Sequence, residues 1–419
     1  MSLTDGWIAA GRRILEPVQN ERLTADDTIL ARPRLGIFGT GRMGRVHLEH
    51  LVRLHRAGRV DFVAMGDPRP STLDAARAYL STLGADDLAR DLASVSTPDR
   101  MATDHRVNAV VVASRTEDHA HDVVTFGRRG IPVLVEKPVA SSIAEAAAIA
   151  GALGATADRL VQVAFQRHYD AATRAAAAWV RQGLIGSIQQ SDHVLQDKNP
   201  TPEAYQSCGI TADMAIHLVF EAMSLRGFTL PRRVQALHYL CPPYDDYAGE
   251  GANIVHVFCQ WADGSLAHLW GSRINGTGYD NRFTLTGTEG RIDVGEFAGD
   301  FGPIAAKLWR GTGEGPLPRG TLVESVTFPM TRPLPHHPDF YARFAAAYEA
   351  ELSEFVTRVG AGLPLEPGLD AGWKTLLVAN VAEASSRQGG RVFELTQRDG
   401  RAIESAGDAA AFAAASGVV

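Results

Sequence analysis

Apolar residues in the first third of the chain come in short runs: Leu35–Phe38, Val60–Met65, Val107–Ala113, Ile131–Val135 and Leu160–Phe165. Runs this short and this continuous predict strands buried on both faces, as in a parallel sheet. Between them, apolar positions recur at helical spacing over 46–54, 71–83 and 119–129, with Ser71 as an N-cap and Gly130 as a stop. A further helix begins at Ser142, where Glu145 completes a capping box. The acidic, polar stretch 84–104 predicts one short helix beside a loop. Repeated strand–helix units predict a doubly wound parallel sheet, with ligands beyond the carboxyl ends of its strands.

Past about residue 170 the period changes. A helix over 171–181 gives way to alternating stretches at 187–195, 233–239, 253–261, 265–272, 282–286 and 291–294, with Asp263-Gly264 as a hairpin turn. This predicts an α+β domain with a mostly antiparallel open sheet. Residues 296–338, rich in Gly and Pro, are expected to form a long loop, and helices are expected over 338–359 and 369–388. The expected division is an N-terminal extension at 1–31, a nucleotide domain at 32–165, a second domain at 166–398 and a mobile tail at 399–419. In the extension, Trp7-Ile8 and Ile14-Leu15 lie on a possible helical face suited to docking.

The first apolar run feeds the turn Gly39-Thr40-Gly41-Arg42-Met43-Gly44 and then a helix. In this Gly-x-Gly-x-x-Gly of Rossmann type, Gly39 permits the tight turn, Gly41 lets backbone approach a pyrophosphate, and Gly44 lets the helix pack on the strand. Arg42 and Met43 join Gly39 and Gly41 as candidate cofactor contacts, and the helix N-terminus offers N–H groups to phosphate. Asp67 ends the second run, 28 positions after Gly39. A carboxylate there accepts both hydroxyls of an adenosine ribose and repels a 2′-phosphate, which favours NAD over NADP; Arg69, two residues on, weakens that preference.

Composition narrows the class further. With 419 residues, 45% hydrophobic and 21% charged, the chain reads as an ordinary globular protein of two domains. A formal net charge of −7 argues against a nucleic-acid surface. The three cysteines have neither metal-ligand spacing nor disulfide-scaffold density, which fits a reducing cytoplasm. No apolar run approaches the roughly 20 residues of a membrane span. Arg12-Arg13 lacks the apolar core that an export signal requires. Histidine pairs at His119/His121 and His336/His337 have no further ligands around them, so no metal is expected.

Three motifs together resemble the glucose–fructose oxidoreductase and inositol dehydrogenase (Gfo/Idh/MocA) family over about 33–395: the glycine turn, Glu136-Lys137-Pro138, and Asp213-Met214-Ala215-Ile216-His217. Phe165-Gln166-Arg167-His168-Tyr169-Asp170, Asp197-Lys198-Asn199-Pro200-Thr201, and Arg343-Phe344 with Tyr348 and Glu351 are similar to the inositol dehydrogenase branch. Leu218 and Phe220 depart from it, since many members carry acidic residues directly after the histidine. The resemblance implies a cis Lys137–Pro138 bond, a dinucleotide lined by Ser114 and His119, Glu136 at the nicotinamide ribose, and a dimer or tetramer assembled through the exposed sheet face. It also implies a polyol or sugar substrate.

Oxidising a secondary alcohol needs a hydride acceptor and a base for the hydroxyl proton. Lys137, at a strand end, suits an ammonium that stabilises the developing alkoxide. His217 is the side chain whose ordinary pKa best suits a general base near neutrality. Asp213, four residues earlier, shares its helical face and is expected to orient the ring or bind a substrate hydroxyl. Arg167, Asp197 and Asn199 supply polar groups for a polyhydroxylated ring, and Tyr279 and Tyr348 are candidates to pack against it or to be core. The expected activity is NAD-dependent oxidation of a cyclitol or sugar hydroxyl. The rivals are keto-sugar reduction, aldose reduction or glycoside cleavage on the same fold, and a non-catalytic NAD-binding protein.

Overall fold

The computed structural model describes residues 32–103, 106–197, 209–242, 252–296, 303–312, 319–332, 337–338 and 340–418. The expected docking face of the extension, His336 and Asn199 lie outside them.

The first domain opens with β1 (Arg34–Phe38), α1 (Arg42–Arg56), β2 (Asp61–Gly66), α2 (Pro70–Thr82), α3 (Asp86–Asp91), β3 (Ala93–Val95) and α4 (Pro98–Thr103). It continues with β4 (Ala109–Val112), α5 (Thr116–Gly127), β5 (Val133–Glu136), α6 (Ile143–Leu153), the short α7 (Ala157–Leu160) and β6 (Val161–Ala164). The six strands lie in the order β3-β2-β1-β4-β5-β6, all parallel. Strand order reverses at β1, between β2 and β4, so the crevice above the glycine turn is a topological switch point. The 84–104 segment is richer than expected: two short helices flank β3, whose three residues are too few to show a period in the sequence. Ser142 caps α6, its Oγ accepting the Glu145 N–H, but the expected box does not close on the cap residue: the Glu145 carboxylate accepts from Ser141, one residue earlier.

In the second domain α8 (Ala171–Arg181) precedes β7 (Ile188–Gln196). A π-helical turn (Thr211–Ala215) then leads into α9 (Ile216–Ser224). Next come β8 (Arg233–Tyr239), β9 (Ile254–Gln260), β10 (Leu266–Ser272), β11 (Asp280–Gly287), β12 (Gly290–Val294), β13 (Ile304–Thr312) and β14 (Arg319–Phe328). α10 (Tyr341–Ala361), α11 (Leu369–Arg387), β15 (Phe393–Glu394) and α12 (Ala406–Ser416) complete the chain. The nine-stranded sheet runs β14-β13-β12-β11-β7-β10-β9-β8-β15, antiparallel except where β7 meets β10. Alternation decides its faces. Val234, Ala236, Val255, Val257, Ala267 and Leu269 are buried, while Tyr239, Phe258 and Leu266 face outward.

Two expectations are corrected here. The presumed loop at 296–338 contains the hairpin β13–β14, which extends the sheet. Ile304, Ala306 and Leu308 alternate inward against Trp179 and Ala176 of α8. The presumed mobile tail contains α12, which packs on α6 of the first domain and on α11. Ser405 and Asp408 cap it reciprocally, and Ala409, Phe412 and Ala413 are buried. Its alanines are a packing face, since small side chains let helices approach closely. Phe412→Ala is expected to destabilise the protein by about 3 kcal/mol in denaturant unfolding, the usual cost of emptying a buried aromatic position.

Candidate active site

The glycine turn is built as the dinucleotide reading requires. Gly39 has φ +90°, and a Cβ there would lie 2.2 Å from the Ala113 carbonyl carbon, because the end of β4 presses on the turn. A Cβ on Gly44 would lie 2.3 Å from the Gly39 carbonyl oxygen, so the close contact it permits is helix against turn rather than helix against strand. At Gly41, by contrast, nothing lies within 4 Å of where a Cβ would stand. That open space sits over the first turn of α1, which has no acidic residue and no side-chain cap. Its N–H groups and dipole are therefore available to a pyrophosphate. Asp67, 3% exposed, accepts the Thr40 N–H at 3.1 Å and the Arg69 N–H at 3.0 Å. One carboxylate thus ties the glycine turn to the end of β2; Oδ1 also meets Arg69 Nε at 3.4 Å, and Oδ2 keeps a lone pair for a ribose hydroxyl. These residues fit a dinucleotide. Met43 packs beside the cluster formed by Val46, Tyr341 and Phe344, and Arg42 is exposed at the mouth of the turn.

Ser114 and His119, at the end of β4, are each tied into the protein by hydrogen bonds. Ser114 Oγ donates to Asp122 Oδ2 at 2.6 Å. His119 is buried, with Nδ1 2.7 Å from the Pro138 carbonyl oxygen and Nε2 3.3 Å from that of Ser114. Burial lowers its pKa, so the neutral ring donates from one nitrogen, and the shorter contact assigns that proton to Nδ1. His119 therefore clips the end of β4 to the Lys137–Pro138 turn. That peptide bond is cis, as the resemblance implied.

Lys137 reaches across to the second domain. Its Nζ donates to the Asp213 carbonyl oxygen at 2.7 Å and lies 3.2 Å from Asp213 Oδ1. The other carboxylate oxygen of Asp213 accepts from Arg273 Nη2 at 2.9 Å. Asp213 thus bridges two cations. His217 Nδ1 has no hydrogen-bond partner among the described residues, so the expected Asp213–His217 orientation is replaced by an Asp213–Lys137 one. The physical reason is the π-helical turn, which widens the helix just where Asp213 stands; such turns recur at functional sites. His217 is partly exposed. Its pKa is lowered well below the ordinary 6.5 by burial first and by the charges of Lys137 and Arg167 next, with Asp213 pulling the other way.

Around this pair the second domain supplies a buried polar shell. Arg167, 1% exposed, lies 3.8 Å from Glu221 Oε1 and over the Phe344 ring. Glu221 stands one helical turn after His217 and also accepts from His193 Nδ1 at 2.7 Å. Tyr279 is half-buried; burial pushes its hydroxyl up to about 12, with Arg167 and Arg343 opposing and Asp197 and Glu221 reinforcing. Arg167 and Asp197 thus act with opposite sign on the Tyr279 hydroxyl. Tyr348 is core, packed edge-on to His47. Leu218 and Phe220 are also buried, Phe220 stacked on Phe165 with centroids 4.0 Å apart. Glu221, not a residue adjacent to His217, is the acid of this helix.

Arg273, Glu221 and His193 escaped the sequence reading. His193 lies in an alternating strand, Glu221 in an apolar helix and Arg273 one residue past the end of β10, where only a polar residue at an inward position could have marked them. His193 and Arg273 do occupy such positions. Among the described residues no three His, Cys, Asp or Glu side chains converge to hold a metal.

A parallel Rossmann sheet carrying a dinucleotide turn, joined through a lysine to an open antiparallel sheet, defines a two-domain NAD-binding oxidoreductase. Family comparison agrees: residues 33–165 match the oxidoreductase family with NAD-binding Rossmann fold, and residues 173–293 match the GFO/IDH/MocA C-terminal domain. The chain belongs to the Gfo/Idh/MocA oxidoreductase family. It is 28% identical over 358 residues to an inositol 2-dehydrogenase of Rhizobium meliloti (strain 1021), covering 84% of this chain and 96% of that one. It is 25% identical over 341 residues to the scyllo-inositol 2-dehydrogenase (NAD(+)) of Bacillus subtilis (strain 168), covering 81% and 90%. The fold matches that of a myo-inositol dehydrogenase from Lactobacillus casei in complex with NAD(H) and myo-inositol, with a TM-score of 0.69, 19% identity, and 87% and 97% of the chains covered.

Proposed function

We propose that this protein is an NAD-dependent dehydrogenase oxidising a secondary hydroxyl of an inositol-like cyclitol. Residues 32–165 hold the dinucleotide, and 166–398 hold the substrate and the subunit contacts. The observation that carries the proposal is the reach of Lys137, on the dinucleotide domain, to Asp213 of the second domain, one helical turn before His217. Supporting it are the inositol dehydrogenase relatives and a polar shell of Arg167, Asp197 and Tyr279 suited to several hydroxyls.

The nicotinamide, when bound, supplies the hydride acceptor. The chain does the rest. An ammonium has three N–H donors, and Asp213 occupies two directions of Lys137, leaving the third for the alcohol oxygen. His217, neutral because its pKa is depressed, takes the hydroxyl proton, and Lys137 stabilises the negative charge that remains on oxygen. Incubating the protein with NAD and a panel of cyclitols and sugars, scored by NADH absorbance, tests the reading. Accumulation of NADH with inositols supports it, and NADH binding without turnover on the whole panel refutes it.

The pH dependence follows from His217. Only its neutral form accepts a proton, so the rate falls as pH drops through its pKa. Because that pKa lies below 6.5, kcat/KM for oxidation is expected to be level through neutrality, with its acid limb below pH 6.5. A limb at or above that value contradicts the assignment. Cofactor choice follows from Asp67. Asp67→Asn keeps an acceptor for the glycine turn but removes the charge, and it is expected to raise kcat/KM with NADP roughly tenfold, since like-charge juxtaposition is what disfavours the 2′-phosphate.

The outward face of the large sheet carries Tyr239, Phe258 and Leu266, each more than 40% exposed, beside the stacked rings of His256, His268 and Trp270. An apolar, aromatic patch of this kind suits a homo-oligomer interface. Among the described residues no helix is long and apolar enough to cross a membrane, and a cytoplasmic location is part of the proposal.

A further inference from the structure

The turn that carries Lys137 has a buried neighbour on α1. His47 is 0% exposed, and its Nε2 lies 2.8 Å from Glu136 Oε1. The second oxygen of Glu136 accepts the backbone N–H of Lys137 at 3.2 Å. The His47 ring is itself fixed, meeting Tyr348 of α10 edge-on with centroids 6.0 Å apart. We propose that His47 is a positioning residue for Lys137, acting through Glu136. The proposal rests on the reading of Lys137 as the ammonium that binds the substrate oxygen.

The physical case starts from Glu136. A carboxylate 6% exposed at the end of β5 would ordinarily take up a proton. Burial does push it up, but the hydrogen bond and charge of His47, then the charge of Lys137, outweigh that and hold it below the usual range. As an anion it accepts from the Lys137 backbone on one oxygen and from His47 on the other. The turn is thereby gripped from both flanks, by His47 at Glu136 and by His119 at the Pro138 carbonyl. Because His47 lies on the helix that begins at the glycine turn, one hydrogen bond joins the dinucleotide helix to the catalytic lysine. A Glu136 without its partner would protonate or swing toward the Lys137 ammonium, and either would move that ammonium off the substrate oxygen.

The test is a set of variants assayed with NAD and a cyclitol that the wild type turns over, each normalised to its number of NADH-binding sites so that unfolded protein is not counted. His47→Leu is expected to lower kcat about 10- to 100-fold, the range for loss of a hydrogen bond to a buried charge, with NADH affinity changed less than about threefold. His47→Gln, whose amide can place a donor near the position of Nε2, is expected to recover most of that loss. In a Glu136→Gln background, His47→Leu is expected to cost little more, because both changes break one link. Equal losses in His47→Leu and His47→Gln, or a double variant whose losses multiply, overturn the positioning role and leave Lys137 in place. Near-normal turnover of Lys137→Met, measured alongside, would instead remove the reading on which the proposal stands.

Discussion

Lys137→Met is expected to lower kcat about 100- to 1000-fold, the usual cost of removing one donor aimed at a developing oxyanion. Methionine keeps the length and apolar stem of lysine and deletes only the charge and its hydrogens. The loss should therefore fall on turnover, while NADH affinity, measured by fluorescence titration, stays within about threefold of wild type. Asp213 would lose one of its two cationic partners but keep Arg273 at 2.9 Å, so the site should not collapse. Turnover within a few fold of wild type would contradict the role given to this lysine.

His217→Ala is expected to cost about 100- to 10,000-fold in kcat, the range for a positioned general base. It should also remove the acid limb of the pH profile, because the group that titrates there is gone. Its imidazole is partly exposed and its Nδ1 is unbonded among the described residues, so truncation breaks no hydrogen bond in the fold. Stability measured in denaturant should change little. A variant that keeps its acid limb would point to another base.

Much of this was legible in the residues because the first domain obeys strong local rules. Runs buried on both faces announced the parallel strands, and the glycine turn announced the switch point. The hairpin β13–β14 was hidden because its alternating positions, Ile304, Ala306 and Leu308, lie in a stretch dense in Gly and Pro. Composition outweighed periodicity there. α12 was hidden for the opposite reason: its alanines look featureless in sequence, and only their burial against α6 and α11 gives them meaning. At the site, Lys137, Asp213 and His217 could be named because they sit in motifs. Their wiring could not be read, because it depends on a π-helical turn that shifts Asp213 toward Lys137. His119 and His47 show the same limit. A buried histidine in an amphipathic helix has no sequence signature, and only geometry reveals that both hold the Glu136–Pro138 turn.

The most direct test is the structure of the dead-end complex of the wild-type protein with NADH and an inositol. The account predicts one secondary hydroxyl within hydrogen-bond reach, roughly 3 Å, of both Lys137 Nζ and the His217 ring, with its carbon facing the nicotinamide. An inositol bound with no hydroxyl near both side chains, or with the nicotinamide outside the crevice above Gly41, would contradict it.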